Sequence, residues 1–440
     1  MAAEALRCLV TGATGYIGGR LVPRLLESGF EVRALARNPD KLAAVPWRDR
    51  IEVAKGDLSD AGSLRSAFDD VDVVYYLVHS MGFEKDFATE ERRAAQNVVA
   101  AARRAGVRRI VYLSGLHPEG TELSTHLGSR TTVGEILIAS GIETVVLQAG
   151  VVVGSGSASF EMIRHLTDRL PVMTTPKWVH NKIQPIAIRD VLHYLVAAAT
   201  CPVPESRTWD IGGPDVLEYG DMMQIYAEVA GLRPRRILVL PVLTPRIAAL
   251  WVGLVTPIPS GLARPLVESL HCDAVMNNHD VDTIIPPPEG GLTPYRRAVS
   301  LALARISRGE VETTWNTGTA AHLPSDPEWA GEVVYTDTRS RHTTASPEQL
   351  WKALVSSVPQ HWRVEDRDPG RTLKLRAERR GPGDRWLEMH ITPEGTGSRY
   401  EQRAIFYPRG LVGRLYWYAG RPWQAVALDR RVKKVTSAVR

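Results

Sequence analysis

Cysteine is scarce in this chain, with Cys8, Cys201 and Cys272 the only three among 440 residues. They are far apart and show no metal-ligand spacing, so no metal site is expected, and a reducing, cytoplasmic setting fits them. No charged-then-apolar leader precedes the first apolar run, so secretion is not expected either. Long hydrophobic runs are missing as well. The longest, 237–259, contains Arg246 and is broken by Pro241, Pro245 and Pro257, which makes it a poor membrane span. With Trp251 and Leu254 it still has the apolar surface to lie on a bilayer or line a greasy cavity, so peripheral membrane contact stays open. Nor does one sign of charge dominate. A net charge of +5, spread along the sequence, carries no nucleic-acid signature. The basic clusters at 376–380 and 430–434 read as solvated faces, with an anionic membrane or an acidic partner as the other reading.

What is present is an ordinary globular composition, 44% apolar and 23% charged, in a chain long enough to need two cores. The most informative segment follows the apolar run 7–10. Thr11, Gly12, Ala13, Thr14, Gly15, Tyr16, Ile17, Gly18 and Gly19 spell a strand end, a glycine-rich turn and a helix start. In such a turn Gly12 permits the tight bend and Gly15 leaves room for phosphate oxygens against bare backbone. Gly18 lets the helix pack closely on the strand. The free amides and the positive helix end then meet a dinucleotide pyrophosphate.

An amphipathic helix over 17–27 and a second strand over 30–36 complete a βαβ unit. At that strand's tip, where an NAD-binding protein places an acid on the ribose 2′-hydroxyl, stands Arg37. A guanidinium there can fork onto a 2′-phosphate, and Lys41 adds a second charge, so NADP(H) is expected over NAD(H). After a third strand at 51–54, Asp57 and Leu58 are placed to meet the adenine edge. Val78, His79 and Ser80, at the tip of a fourth strand, are expected under the nicotinamide through backbone contacts. Tyr16 is read as a packing or phosphate-covering residue.

Strands and helices keep alternating: a strand at 72–78, a helix at 87–105, a strand at 108–114, a helix at 129–140 and a strand at 144–147. This predicts an α/β fold, a doubly wound parallel sheet of Rossmann type. Late strands and lid helices follow, and the domain is taken to span 1–312. Residues 313–330, where Gly, Pro, Asn and Asp break up any apolar periodicity, read as a linker. The remainder, 331–440, is a smaller α+β domain. It has a strand-like run at 332–345, a helix at 347–358, alternating runs at 372–379, 385–392 and 398–407, and a helix over 411–439. Leu415, Trp417, Tyr418, Trp423 and Val426 are taken as that last helix's apolar face. Such an order suggests a curved antiparallel sheet gripping a helix.

The first part resembles the atypical, extended-like branch of the short-chain dehydrogenases/reductases, close to the NmrA-like NAD(P)-binding proteins. The marks are Thr11 to Gly18, Gly56-Asp57-Leu58, Tyr112-Leu-Ser114, Leu147-Gln-Ala-Gly150 with Val153-Gly154, and Pro185-Ile-Ala-Ile-Arg-Asp190. The C-terminal part, through 407–417, looks like a domain of unknown function similar to the START and polyketide-cyclase helix-grip group. In the first family a Tyr-x-x-x-Lys pair moves the proton and binds the ribose. Here the matching stretch is His126-Leu-Gly-Ser-Arg130, without the tyrosine. The resemblance makes Ser114 the residue that orients substrate and gives Arg130 the lysine's electrostatic part. His126, which titrates near neutrality, is a substitute acid or base, with a capping or surface histidine as the alternative.

Two functions follow from this reading, and a third, a cyclase or lipid carrier in which the nucleotide is structural, from the C-terminal resemblance alone. One is an NADPH-dependent reductase of a small apolar electrophile, a quinone or enone, with Phe160, Met162, Leu166, Met173 and Trp178 either walling the substrate or forming the core face of a helix and its connection. The other is a non-catalytic protein that senses NADP(H) or holds a ligand.

Overall fold

The computed structural model describes residues 5–43, 45–78, 87–118, 120, 123–239, 267–270, 272–307, 335–378, 381–395, 397–408 and 410–437. The chain divides into two compact units, one made chiefly of residues 1–310 and one made chiefly of 332–440. Residues 240–259 of the longest apolar run, and the linker stretch 313–330, lie outside the described residues.

The first unit opens with β1 (Arg7–Thr11), α1 (Tyr16–Glu27), β2 (Glu31–Ala36), β3 (Glu52–Lys55) and β4 (Val73–Tyr76). It continues through α2 (Phe87–Ala105), β5 (Arg109–Gly115), α3 (Thr125–Ile138) and β6 (Glu143–Ala149). With the strand Arg207–Ile211 these strands form a seven-stranded, all-parallel sheet. From one edge the order is Arg207–Ile211, β6, β5, β4, β1, β2, β3, the doubly wound arrangement expected from the alternation. The order reverses between β1 and β4, and in doubly wound folds ligands bind outside the carboxyl ends of the strands at such a switch point.

Both faces of this sheet are buried, which is why its strands read as continuous apolar runs rather than alternating ones. Cys8 and Val10 of β1 pack with Leu21, Val22 and Leu25 of α1 and with Val191 and Leu195 of α5 (Ile188–Ala197). Leu9, between them, points to the other face, among Val98 and Ala102 of α2 and Val133 and Leu137 of α3. Each such leucine or valine, fully withdrawn from water, contributes about 1.5–3 kcal/mol. Helix α3 starts at Thr125, four residues before the expected start, because the Ser124 hydroxyl accepts from the Leu127 amide (3.3 Å) and caps it there. Two further helices, α4 (Ala158–Arg169) and α6 (Tyr219–Val229), belong to the less regular later part.

The second unit is a five-stranded antiparallel sheet. Its order is Tyr335–Thr343, Gly397–Pro408, Gly383–Glu394, Thr372–Ala377 and Trp362–Asp368. Helices Pro347–Ser356 and Gly410–Ser437 accompany it. Its core joins Leu350 and Leu354 to Leu373, Leu375, Met389 and Tyr400 of the sheet and to Leu428, Val432 and Val435 of the long helix. The strand Trp362–Asp368 was not anticipated, because apart from its first residue it is exposed throughout and carries almost no apolar pattern. The expected apolar face of the long helix needs correcting. Trp417 is buried, but Leu415, Tyr418, Trp423 and Val426 are exposed. The face against the sheet is set by Trp417, Leu428, Val432 and Val435, on the opposite side of the helix.

Candidate functional site

The turn between β1 and α1 follows the carboxyl end of β1, beside that switch point. Gly12 has φ +76°, and a Cβ there would lie 2.9 Å from the Leu77 carbonyl oxygen, so both backbone and space demand glycine. The Gly15 amide donates to the Gly12 carbonyl (2.9 Å), closing the bend. Gly18 lies against the same carbonyl, and any Cβ on it would strike that oxygen. Gly15 is the N-cap of α1 and is exposed; no side chain caps the helix and no acid stands in its first turn. The amides of the first turn are therefore left for an anionic ligand, on the positive end of the dipole. Thr14 is half-buried beside them, and Ile17 packs on the core under the turn.

Two of the expected contact residues are occupied within the protein. The Thr11 hydroxyl donates to the Tyr75 carbonyl (2.9 Å) and accepts from the Leu77 amide (3.1 Å), tying β1 to β4. Tyr16 lies under the Arg20 guanidinium, 3.9 Å from its ring centroid, while Arg20 also donates to the Tyr16 carbonyl and to the Ser155 carbonyl (3.0 Å). Tyr16 thus takes part in joining α1 to the loop that precedes α4.

Arg37 follows β2 directly and is exposed; Lys41, also exposed, sits on the next turn, Pro39–Leu42, which Asn38 caps by accepting from the Asp40 amide (3.0 Å). Beyond β3, the Asp57 carboxylate accepts from the Ser59 amide (2.9 Å), and the Asp57 amide donates to Ser63 Oγ. Leu58 is buried in the core, and its carbonyl accepts from Asn97 (2.8 Å). What these two offer an adenine edge is therefore the turn's backbone and the outer side of the Asp57 carboxylate. Val78 is partly exposed at the end of β4; His79 and Ser80 lie outside the described residues.

At β5 and α3, Ser114 is buried and pairs in register with Gln148 of β6. Arg130 donates from Nη2 to the Leu113 carbonyl (2.9 Å), which pins the helix to the strand end. Tyr112 donates to the Arg130 carbonyl (3.3 Å), and burial raises its pKa, so it is a brace rather than a proton donor. His126 is buried in the first turn of α3 with its ring stacked on Phe87 (centroids 4.4 Å apart, planes 14° apart). It is neither a cap nor a surface residue, since Ser124 is the cap. One helical turn later Ser129 donates to buried Glu91 of α2.

Sequence reasoning missed His117, three residues past Ser114. Its Nε2 lies 3.2 Å from Thr131 Oγ1 and 3.1 Å from Gln148 Nε2, and its Nδ1 lies 3.2 Å from the Pro118 carbonyl. A proton on Nδ1 with Nε2 accepting from Gln148 satisfies these contacts. The register of Gln148 opposite Ser114 is the signal that would have found it. Also missed is the buried group on α4, where the Glu161 carboxylate accepts from the Gly156 amide (3.0 Å) and lies 3.2 Å from Arg164 and 3.5 Å from His165. Their spacing of three and four residues puts all three on one face. The expected wall residues Phe160, Met162, Leu166, Met173 and Trp178 are all buried. Phe160 lies edge-on to Tyr226 and Trp178 edge-on to Tyr219, as in a packed interior.

A family model described as NAD(P)H-binding matches residues 12–151, from the β1–α1 turn to just past the end of β6. The (4-alkanoyl-5-oxo-2,5-dihydrofuran-3-yl)methyl phosphate reductase of Streptomyces griseus is 31% identical over 235 residues, covering 52% of this chain and 75% of that relative. The chain belongs to the NAD(P)H-binding family. The 3β-hydroxysteroid dehydrogenase/Δ5→4-isomerase of Mycobacterium tuberculosis is 36% identical over 123 residues. That match covers 25% of this chain and only 32% of the relative. Among solved structures, the triphenylmethane reductase of Citrobacter complexed with NADP(H) has a TM-score of 0.53 and 21% identity, covering 68% of this chain and all of that one. At that identity the likeness is one of fold. A second family model, described as a protein of unknown function (DUF2867), matches residues 355–427.

For an NAD(P)H-binding chain the fit is specific. The parts that would hold the coenzyme are an uncapped helix start, a turn with no room for a Cβ at Gly12 or Gly18, and a cation at the β2 tip. Arg130 lies on the Leu113 carbonyl at the end of β5, one residue before buried Ser114.

Proposed function

We propose that this protein is an NADP(H)-dependent reductase of a small apolar electrophile of the quinone or enone class, working in the cytoplasm. The observation that carries the reading is the open, acid-free N-terminus of α1 at the same carboxyl end of the sheet as the exposed Arg37 and Lys41. The helix end takes the pyrophosphate, and the two cations take a 2′-phosphate that an acid at the β2 tip would repel. Bound nicotinamide supplies hydride. The chain's part is to hold the acceptor and deliver a proton. Arg130, fixed on the Leu113 carbonyl, keeps positive charge at the ribose, and Ser114 orients the acceptor. The proton comes from His126, which the resemblance aligns with the family's proton donor, or from solvent.

NADPH absorbance followed by stopped flow against a panel of quinones and enones tests the reading. Oxidation with at least one class is the expected result, with His126→Ala slowing turnover and shifting the pH profile. An unchanged rate and profile would remove His126 from the proton route. The second reading, a non-catalytic NADP(H) sensor, draws on the lack of any tyrosine along Thr125–Ile138. Tight coenzyme binding with no oxidation across the panel would decide for it.

A further inference from the structure

The long helix Gly410–Ser437 is apolar on two opposite faces, and among the described residues only one of them is covered. Trp417, Leu428, Val432 and Val435 form the buried face, with Trp417 stacked on both Tyr335 and Phe406. On the other side Val412 (70% exposed), Leu415 (60%), Tyr416, Trp423 (80%) and Val426 (47%) stand in water, with exposed Ala419 among them. Their numbers advance by three and four residues, so at 3.6 residues per turn they make one stripe. An exposed stripe of this kind, with an indole at its centre, marks an interaction surface.

Charge indicates the partner. Continuing the same spacing, the stripe runs into Arg430, Lys433 and Lys434, all exposed. The helix contains one acid, Asp429, and that carboxylate is 3.1 Å from Arg339 Nε, so it is already neutralised. Two copies facing each other through this stripe would bring cations together without an acid to meet them. A surface that is apolar below and anionic above meets both parts of the stripe. Tyr416 and Trp423 supply the amphipathic rings that settle at a lipid headgroup boundary, and the lysine stems can reach up from it.

We propose that this face of the helix docks the protein on an anionic lipid bilayer, lying in the interface plane without crossing it. Among the described residues no helix is long and apolar enough to cross a membrane.

The test is co-sedimentation of the full-length protein with phosphatidylcholine vesicles and with phosphatidylcholine/phosphatidylglycerol vesicles. Binding to the mixed vesicles, weakened at high salt and near background on phosphatidylcholine alone, is expected. Leu415→Glu combined with Trp423→Glu should abolish it, and Lys433→Glu combined with Lys434→Glu should reduce it at least tenfold. Because these side chains face water, both variants should keep the circular dichroism spectrum and melting temperature of the parent. Parent protein left in the supernatant with the mixed vesicles would overturn the proposal. So would undiminished binding by the Leu415→Glu/Trp423→Glu variant, or a dimer in gel filtration that Trp423→Glu splits into monomers, since a second copy would then be the occupant.

Discussion

The two ends of the candidate site are built from different material. At the β1–α1 turn the ligand-facing atoms are backbone amides, and the side chains matter chiefly by being absent, as at Gly12 and Gly18. At the β5–α3 end everything depends on side chains, and most of those are engaged inside the protein: Arg130 on the Leu113 carbonyl, Ser129 on Glu91, His126 on Phe87. A backbone site can be recognised from a glycine pattern. A side-chain site can be read only when it is known which atoms the fold has already used.

The sharpest way to break this comparison is at the turn itself. Gly18→Ala sets a methyl group against the Gly12 carbonyl oxygen, where backbone must move, whereas at Gly15 a Cβ meets that oxygen at 3.2 Å. Coenzyme binding should be lost in Gly18→Ala, with a stability cost of about 1–3 kcal/mol by thermal melting. Gly15→Ala should fold normally and only weaken binding. Equal melting temperatures and affinities for the two would mean that the helix start is not the anion site. A smaller effect is expected from Arg130→Met. Removing a charged donor shared by both coenzymes should weaken NADPH and NADH alike, on the order of tenfold, leaving their ratio unchanged. A change in that ratio would place Arg130 at the 2′-phosphate instead.

The weakest effect at neutral pH concerns the support beneath the turn. Burial pushes the Cys8 thiol from its ordinary 9.0 up to about 12. Below pH 9 folded and unfolded chains both keep that proton. Between about pH 9 and 12 the unfolded chain releases it while the folded one does not, so stability falls by ~1.4 kcal/mol per pH unit. Denaturant melts of Cys8→Ala across that range should show a correspondingly flatter decline.

Much of this architecture was legible beforehand, and for a physical reason. Strands buried on both faces and amphipathic helices such as α1 leave strong patterns, and these give the glycine turn its βαβ context. The start of α3 was misplaced because a single hydroxyl, Ser124, decides it. The strand Trp362–Asp368 was missed because a solvated edge strand needs no apolar residues. The long C-terminal helix was found, but of the five residues assigned to its buried face only Trp417 is buried. Both sides are apolar, and periodicity alone does not say which of two stripes meets the sheet. His117 escaped notice because its significance lies in Gln148 and Thr131, which only the sheet register and α3 bring beside it.

The account rests on a doubly phosphorylated adenosine moiety meeting the α1 amides and the Arg37 guanidinium, and calorimetric titration of the purified protein with NADPH and NADH tests it most directly. NADPH should bind the more tightly, on the order of tenfold or more, with the difference removed in Arg37→Ala. No heat with either coenzyme, or equal affinities in the unmodified protein, would contradict it.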